Sequence, residues 1–172
     1  YTNIVALGEK SAILHYQNKR NDNALNEKNL LIDAGCRING YASDITRTSI
    51  KMNADPLFKD LLRGMEYVEQ ELVNLVKPDV GYPDLHSDAL VKIGNLLLEL
   101  SICFGSLESL LKNDIPQLFM PHGVGHLLGI QVHDVGGHLQ DINGTIESPS
   151  KHSPFLRNTR VMAENMVFTI EP

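Results

Sequence analysis

The feature that most constrains the fold of this chain is the dipeptide Asn39-Gly40, which lies between two runs rich in β-forming residues. Asn-Gly is the strongest short-range signal for a β-hairpin with a two-residue loop. Such a loop places Ile38 opposite Tyr41 and thereby fixes the pairing of the residues further along both strands. The sequence therefore predicts an antiparallel hairpin centred on this dipeptide.

Two aspartates lie on the arms of the predicted hairpin. The pairing places Asp33 opposite Thr46 and Asp44 opposite Gly35, so both carboxylates project from the same face. Diagonal neighbours lie roughly 7–8 Å apart, which suits carboxylates that hold metal ions about 3.5–4 Å apart. Two carboxylates in a half-buried sheet are costly unless a cation offsets their charge. The alternative, two exposed aspartates near a turn, stays open at this point.

Three of the seven histidines, His122, His126 and His133, lie in one glycine-rich stretch. The glycines argue against a helix, so this is not a pair of metal-binding histidines on one helical turn. We expect a turn that leads into a strand over residues 127–135. Imidazole serves as a metal ligand, a general acid or base and a hydrogen-bond donor, which makes the stretch a candidate hydrolytic site. A third segment is an apolar run that ends on Glu171, which alone would indicate nothing.

Together these segments resemble the metal-dependent peptidases of the pita-bread fold, and within them the bacterial Xaa-Pro dipeptidases (prolidases). The resemblance spans nearly the whole chain. Its main motifs are Ile32-Asp-Ala-Gly, Asn39-Gly-Tyr-Ala-Ser-Asp-Ile-Thr-Arg-Thr, Phe119-Met-Pro-His-Gly-Val-Gly-His, His133-Asp-Val-Gly-Gly, Pro154-Phe-Leu-Arg-Asn-Thr-Arg and Phe168-Thr-Ile-Glu-Pro. The resemblance implies an α+β fold in which helices cover one face of a curved antiparallel sheet.

The resemblance also implies a metal site. Its ligands in this chain are Asp33, Asp44, His126 and Glu171. A complete site holds two divalent ions, manganese by resemblance, and carboxylate-dominated ligation suits such a hard ion. The family has a fifth ligand, a glutamate on a later strand, and an N-terminal domain of creatinase type. We therefore expect residues 1–172 to be a catalytic domain that is incomplete at both ends.

Further residues match positions that contact the substrate in the family. By this resemblance His133 holds the substrate or the tetrahedral intermediate, and His122 is another active-site histidine. His15 matches a histidine that contacts substrate. Arg157 falls where the dipeptidases grip the proline carboxylate, a task that suits a planar, two-pronged donor. Arg160 is the alternative for that task, and a solvated surface role for Arg157 also stays open.

The function that the resemblance implies is hydrolysis of Xaa-Pro dipeptides by a metal-activated water. One alternative is aminopeptidase P, which performs the same chemistry on longer peptides. Another is a pita-bread binding module without catalysis. A serine hydrolase is disfavoured because the chain contains no Gly-x-Ser-x-Gly nucleophile elbow.

Composition narrows the partners. A net charge of −6 without a basic run argues against nucleic acid as the main partner, and 42% hydrophobic residues can fill a sizeable core. Cys36 and Cys103 have no disulfide or metal-ligand spacing, so we expect reduced thiols in a cytoplasmic protein. No apolar stretch approaches the length of a membrane span. The resemblance, in contrast to the composition, implies that the full-length protein is a homodimer that acts on small peptides.

The remaining elements follow from periodicity and capping signals. We expect strands over residues 3–7 and 11–16, a polar link over residues 17–28, and a mobile loop over residues 141–151 near the site. Asp55-Pro56 predicts the start of a helix that ends before Lys77-Pro78. Two further helices are expected over residues 84–100 and 107–112.

Overall fold

The computed structural model describes residues 2–18 and 26–172. The strands are β1 (Ile4–Leu7), β2 (Asn29–Ala34), β3 (Arg37–Ile38), β4 (Tyr41–Ala42) and β5 (Ile45–Ile50). The helices are α1 (Pro56–Leu75), α2 (Tyr82–Glu99), α3 (Leu107–Lys112) and α4 (Ile115–Phe119). Part of the polar link expected over residues 17–28 lies outside the described residues.

The predicted hairpin is present, with the predicted loop. Strands β3 and β4 pair with Ile38 opposite Tyr41. The two loop residues, Asn39 and Gly40, have φ angles of 52° and 91°. Positive φ at both central residues matches the right-handed twist of the flanking strands, and Asn and Gly are the residues that tolerate it best. The turn chemistry therefore sets the register of the whole hairpin.

The hairpin opens in the middle without losing its register. Strands β2 and β5 pair with Asp33 opposite Thr46, as predicted. In the opening between the two paired regions, the Ser43 N–H donates to the Cys36 carbonyl at 2.9 Å. The Cys36 N–H in turn donates to the Ser43 hydroxyl at 3.0 Å. Because no residue is gained or lost there, the parity that relates the two aspartates is kept.

The larger sheet has the strand order β1-β2-β5, and all of its pairs are antiparallel. Its central strand β2 pairs with β1 through Ile4 opposite Asp33 and Ala6 opposite Leu31. Ile4 and Ala6 are buried. The face that carries Asp33 is therefore the inner face of the sheet.

Helix α1 has the predicted boundaries. The Asp55 carboxylate accepts a hydrogen bond from the Leu57 N–H at 2.8 Å, and Pro56 occupies the first turn. This arrangement satisfies one of the free amide groups at the helix start and uses a residue that has no amide hydrogen to satisfy. The helix ends at Leu75, ahead of Pro78.

Helix α2 lies at the centre of the core. It begins at Tyr82, two residues before the predicted start, because Pro83 suits the first turn of a helix. Helix α3 has the predicted bounds, and the short helix α4 was not predicted. The core cluster consists of Val68, Leu72, Tyr82, Leu85, Ala89, Leu90, Ile93, Leu97, Met120, Val124, Leu156 and Met162.

Two predicted strands are wrong. The strand expected over residues 11–16 is replaced at its start by a 3₁₀-helix over residues 8–12. Gly8 turns the chain at a φ of 60°, and its carbonyl accepts the Ser11 hydroxyl at 2.7 Å. The strand expected over residues 127–135 ends almost at once, because the Asp134 N–H returns to the Leu127 carbonyl at 3.0 Å and closes a turn.

The loop expected over residues 141–151 begins with a tight turn. The Asp141 carboxylate accepts hydrogen bonds from the Asn143 N–H at 2.8 Å and from the Thr145 hydroxyl at 2.7 Å. Leu139 and Ile146 form a single antiparallel bridge beside this turn. A side chain that bonds its own backbone in this way holds a turn in place of sheet or helix hydrogen bonds.

Candidate metal centre

Three predicted ligands converge at one point. The His126 Nε2 atom lies 3.2 Å from Asp44 Oδ2 and 3.1 Å from Glu171 Oε1. One ligand atom from each residue lies within 4.8 Å of the other two. Among residues 2–18 and 26–172, these side chains form the group of histidine and carboxylate donors that could hold a metal ion.

The tautomer of His126 directs a lone pair into this group. Its Nδ1 atom lies 2.9 Å from the Leu127 carbonyl, which can only accept, so Nδ1 carries the hydrogen. In the neutral ring Nε2 is then an acceptor that faces two carboxylates, and this buried atom has no hydrogen-bond partner among the described residues. Acceptors converge in this way only if a proton or a cation lies between them. The donor set therefore fits a divalent metal ion.

The same geometry shifts both titrations. Burial lowers the pKa of His126, but the neighbouring Glu171 carboxylate, the Leu127 carbonyl and Asp44 raise it by more, so the pKa lies above its ordinary value. Burial raises the pKa of Glu171, but His126 and the Thr169 hydroxyl lower it by more. Without an ion, the group is therefore stabilised by a proton on His126.

Two extended segments bring His126 and Glu171 together. The Thr169 N–H donates to the His126 carbonyl at 2.9 Å, and the Glu171 N–H donates to the Val124 carbonyl at 2.8 Å. The Thr169 hydroxyl accepts the His126 N–H at 3.0 Å and donates to Glu171 Oε1 at 2.6 Å. The predicted apolar run before Glu171 thus pairs with the histidine stretch only through its last residues, over 167–171.

Gly125 allows the close approach of these two segments. A Cβ atom at this position would lie 2.2 Å from the Thr169 carbonyl oxygen and 2.5 Å from the Tyr82 hydroxyl. The Tyr82 hydroxyl donates to the same Thr169 carbonyl at 2.8 Å. Burial raises the pKa of Tyr82, so the hydroxyl keeps its hydrogen for this bond. Packing therefore requires a glycine at position 125.

Asp44 is joined to the histidine segment through the hairpin. The Ala42 N–H donates to the Gly129 carbonyl at 2.8 Å, and the Arg37 guanidinium donates to the Ile130 carbonyl at 3.1 Å. Both bonds link the small β3-β4 sheet to the turn that follows His126. Asp44 meets His126 because the hairpin and this turn are fastened together.

Asp33 is placed differently from the other three predicted ligands. It lies on the inner face of β2, opposite Ile4 on one side and Thr46 on the other. Its carboxylate is not one of the three groups whose ligand atoms lie within 4.8 Å of one another. Because the diagonal spacing of a sheet separates Asp33 from Asp44, a second ion between them would be needed to connect both to one centre.

Two other predicted histidines surround the group on its open side. The rings of His133 and His126 are 4.4 Å apart between centroids and nearly perpendicular, and His15 lies 6.5 Å beyond His133. Burial lowers the pKa of His133, and the positive charges of His126 and Arg157 lower it further. His15 has a φ of 54°, a conformation that non-glycine residues adopt uncommonly.

Arg157 reaches the same neighbourhood from the last third of the chain. Its side chain is exposed, and its charge acts on His133. Its backbone is held against Gly137, where a Cβ atom would lie 2.1 Å from the Arg157 carbonyl oxygen. For the alternative, Arg160, the backbone carbonyl accepts the Tyr82 N–H at 2.9 Å. Arg157 is the arginine whose charge acts on His133, beside the ligand group.

His122 lies close enough to Glu171 for its charge to act on that carboxylate. Its Nδ1 atom donates to the Gly123 carbonyl at 2.8 Å, and its charge contributes to the lowered pKa of Glu171. The sequence did not indicate two neighbours that the structure brings here, Thr169 and His86. His86 falls on the apolar stripe of α2, and a histidine on such a stripe was the available signal.

The described residues form no helix that is both long enough and apolar enough to cross a membrane.

Comparison with protein families supports the resemblance. The model of metallopeptidase family M24 matches residues 1–172. The proteins named Xaa-Pro dipeptidase from Shewanella pealeana and Shewanella woodyi are each 45% identical to this chain over 174 aligned positions. Each alignment covers 100% of this chain and 39% of the relative. The chain thus spans less than half the length of the relatives that it matches.

Solved structures share the fold. Zinc-substituted aminopeptidase P from Escherichia coli, in complex with product, matches with a TM-score of 0.81 and 26% identity. Aminopeptidase PepP from Pseudomonas aeruginosa matches with a TM-score of 0.80 and 30% identity. Both matches cover 99% of this chain and 35% of the solved chain. The expected α+β pita-bread fold is confirmed.

Proposed function

Because this chain belongs to metallopeptidase family M24, we propose that it hydrolyses the peptide bond before proline in Xaa-Pro dipeptides. The observation that carries the proposal is the convergence of Asp44, Glu171 and the His126 lone pair on one point. The relatives at 45% identity, all named Xaa-Pro dipeptidase, support the choice of substrate.

The metal ligands in this proposal are Asp33, Asp44, His126 and Glu171. We infer two divalent ions, with manganese as the preferred metal, because carboxylates outnumber the single imidazole and no thiolate takes part. A divalent ion at this site supplies a Lewis acid and lowers the pKa of a bound water toward neutrality.

His133 and His122 are the proposed catalytic histidines. A lowered pKa keeps His133 neutral near neutral pH, so the ring can donate one hydrogen bond without carrying a charge. Its position against the His126 ring places that donor beside the ligand group. There it would stabilise the negative charge that develops on the carbonyl oxygen. His122, whose charge acts on Glu171, would donate a second hydrogen bond to that oxygen, and Glu171 or the family's later glutamate would carry the proton to the departing nitrogen.

Arg157 and His15 are the proposed substrate-binding residues. Both lie near His133, and both are exposed, so a bound dipeptide can reach them. A guanidinium presents two parallel donors to a carboxylate, which suits recognition of the carboxyl end of a dipeptide. Restriction to dipeptides would follow, because a longer peptide has no carboxylate at that position.

Aminopeptidase P activity is the second candidate, favoured by the match to the Escherichia coli enzyme. The two candidates differ in one substrate feature, the free carboxylate of proline directly after the scissile bond. A binding module without catalysis is less well supported, because Asp44, His126 and Glu171 keep the residue types of the ligands and converge on one point. As further parts of the proposal, the full-length protein is a cytoplasmic homodimer that acts on small peptides, and its net charge of −6 gives no basis for binding nucleic acid.

The test is an activity assay of the full-length protein with Ala-Pro and with a longer Ala-Pro peptide, before and after removal of metal by a chelator. We expect turnover of Ala-Pro that is lost with the metal and restored by Mn²⁺. Preference for the longer peptide would favour the aminopeptidase P alternative. Absence of metal-dependent turnover on both substrates would contradict the proposed function.

A further inference from the structure

His86 makes two hydrogen bonds from a buried position on helix α2. Its side chain is 3% exposed. Its Nε2 atom lies 2.8 Å from the Ser153 hydroxyl, and its Nδ1 atom lies 3.3 Å from the Val124 nitrogen. Because the Val124 N–H can only donate, Nδ1 must accept and Nε2 must carry the hydrogen. His86 thus connects helix α2 to two segments that lie outside it in the chain.

The first segment is the glycine-rich stretch of the metal centre. Val124 is completely buried, and its N–H needs an acceptor away from water. The carbonyl of the same residue accepts the Glu171 N–H at 2.8 Å. One residue therefore receives His86 on one side and fixes Glu171 on the other. It also lies between His122 and His126 in the chain.

The second segment leads to Arg157. The Leu156 N–H donates to the Ser153 carbonyl at 3.1 Å and closes a turn immediately before Arg157. The Ser153 hydroxyl fastens this turn to His86. A pocket of about 170 Å³ lies between the turn and the end of α4, and both His86 and His122 line it. The turn is also held by Leu156, which is buried in the core and whose carbonyl accepts a hydrogen bond from His138 at 3.0 Å. The Ser153 hydroxyl is the point at which His86 is bonded to it.

We propose that His86 is a positioning residue that sets the His122–His126 stretch and the Arg157 turn in their relative places. The proposal rests on the function proposed above, since it assigns the two segments to catalysis and to binding of the substrate carboxylate. His86 touches neither substrate nor metal in this scheme. It acts through Val124 on one side and through Ser153 on the other.

The protonation state of His86 supports this role. Burial lowers the pKa of His86 to about 4, and the charge of His122 lowers it as well. The ring is therefore neutral near neutral pH, where Nδ1 can accept from Val124. A protonated ring would have two donors and would lose that bond.

The two bonds can be removed separately. Ser153→Ala breaks only the link to the Arg157 turn, so KM for Ala-Pro should rise about two- to tenfold with kcat nearly unchanged. His86→Ala breaks both links, so KM should rise and kcat should fall by roughly 10- to 100-fold. His86→Asn keeps an acceptor close to the position of Nδ1 but cannot reach Ser153. We expect it to restore kcat and to keep the raised KM.

Two measurements separate positioning from a general loss of stability: the kinetics of a control variant, and hydrogen exchange at Val124. The control is Leu90→Ala, which removes volume from a 7% exposed position on the same helix without touching either link. It should destabilise the protein and leave kcat and KM unchanged. The second measurement is hydrogen exchange of the Val124 amide in metal-free protein. Exchange should accelerate in His86→Ala, and it should remain slow in His86→Asn and Ser153→Ala.

The outcomes distinguish this proposal from the function on which it rests. If the wild-type protein cleaves no Xaa-Pro substrate, the proposed function fails, whereas the Val124 exchange pattern still tests the His86 link. If Ser153→Ala changes neither kinetic constant, or His86→Ala behaves like Leu90→Ala, His86 is structural only and the proposal is overturned. If His86→Ala fails to fold, the Asn and Ser153 variants decide.

Discussion

In the function proposed above, two exposed side chains beside the ligand group, Arg157 and His15, select the substrate. Arg157 is exposed and lies near His133, and its backbone carbonyl packs closely against Gly137. His15 lies on the other side of His133. A dipeptide bound across the metal centre would therefore meet a cation at one end of the group of histidines.

The first prediction concerns Arg157→Ala in the full-length protein. KM for Ala-Pro should rise about tenfold or more, because a hydrogen bond to a charged group contributes about 1.5–3 kcal/mol. KM for the same dipeptide with an amidated carboxyl end should change little. Steady-state kinetics on both substrates test this, with Arg160→Ala as the matched control. An equal rise in KM for the two substrates would contradict the proposed binding of the substrate carboxylate by Arg157 and would indicate a structural role.

The second prediction concerns the acid sensitivity that His86 gives to the fold. The unfolded chain binds a proton on this residue near pH 6.5, whereas the folded chain binds it only near pH 4. Protons therefore favour the unfolded state, and the His86 contribution to the free energy of unfolding falls as the pH drops from 6.5 to 4. Above pH 6.5 the contribution is constant.

Urea unfolding of metal-free protein across this range measures the effect. His126 has a raised pKa and acts with the opposite sign, so the quantity to compare is the difference between wild type and His86→Gln. This difference should shrink as the pH falls. His152→Gln, at an exposed histidine, is the control for removing an imidazole. A difference that does not depend on pH would contradict the prediction.

At the scale of elements, the centre depends on the pairing of residues 124–128 with residues 167–171. The third prediction is that Gly125→Ala weakens both this pairing and the metal site. The new methyl group would meet the Thr169 carbonyl and the Tyr82 hydroxyl, and neither can move without breaking a hydrogen bond. We expect a loss of about 1–3 kcal/mol in the free energy of unfolding. Metal affinity should fall as well.

Urea unfolding and calorimetric titration with Mn²⁺ measure these two quantities. Gly144→Ala is the matched control, because Gly144 also has a positive φ, 87°, but a Cβ atom there would meet open space. The control reports the cost of backbone conformation alone. Equal losses for the two variants would mean that the close approach at Gly125 is relaxed at no cost.

The elements also show what the sequence could and could not predict. The hairpin register and the start of α1 follow from local rules, an Asn-Gly turn and an Asp-Pro cap, and both were predicted correctly. The strand expected over residues 127–135 was wrong, because the chain turns back through a bond between Asp134 and Leu127. Such a contact depends on tertiary packing, which alternation of apolar residues does not report.

The same limit applies to the site. Asp44, His126 and Glu171 were named from motifs, and the structure brings them together. His86 and Thr169 were missed because each acts through a hydrogen bond to a distant segment. The place of His86 on the apolar stripe of α2 indicates a buried imidazole, but it does not indicate which distant segment the imidazole bonds.

At the scale of the whole molecule, the metal centre joins two parts of the chain. Asp44 belongs to the hairpin, whereas His126 and Glu171 belong to the paired segments that pack against helix α2. The fourth prediction is that Mn²⁺ protects β2 and β5 from hydrogen exchange over the same concentration range in which it protects residues 124–128. A shared ligand stabilises every part that must be folded to bind it.

Hydrogen exchange followed by mass spectrometry, at increasing Mn²⁺, tests this coupling. Replacing both ligands of the hairpin, Asp33→Asn together with Asp44→Asn, should lower the protection of the two strands more than that of residues 124–128, where His126 is kept. Protection of the strands in this variant, equal to that in wild type, would show that the two parts are coupled without the shared ion.

Asp44, His126 and Glu171 are far apart along the chain. The chain must close long loops to bring them together, and the entropy cost of closing these loops comes before the ligands meet. The centre is therefore complete only after most of the chain has folded. A bound ion should then slow unfolding and have little effect on the rate of folding. Mn²⁺ should then lengthen the lifetime of the native state and leave the refolding rate unchanged.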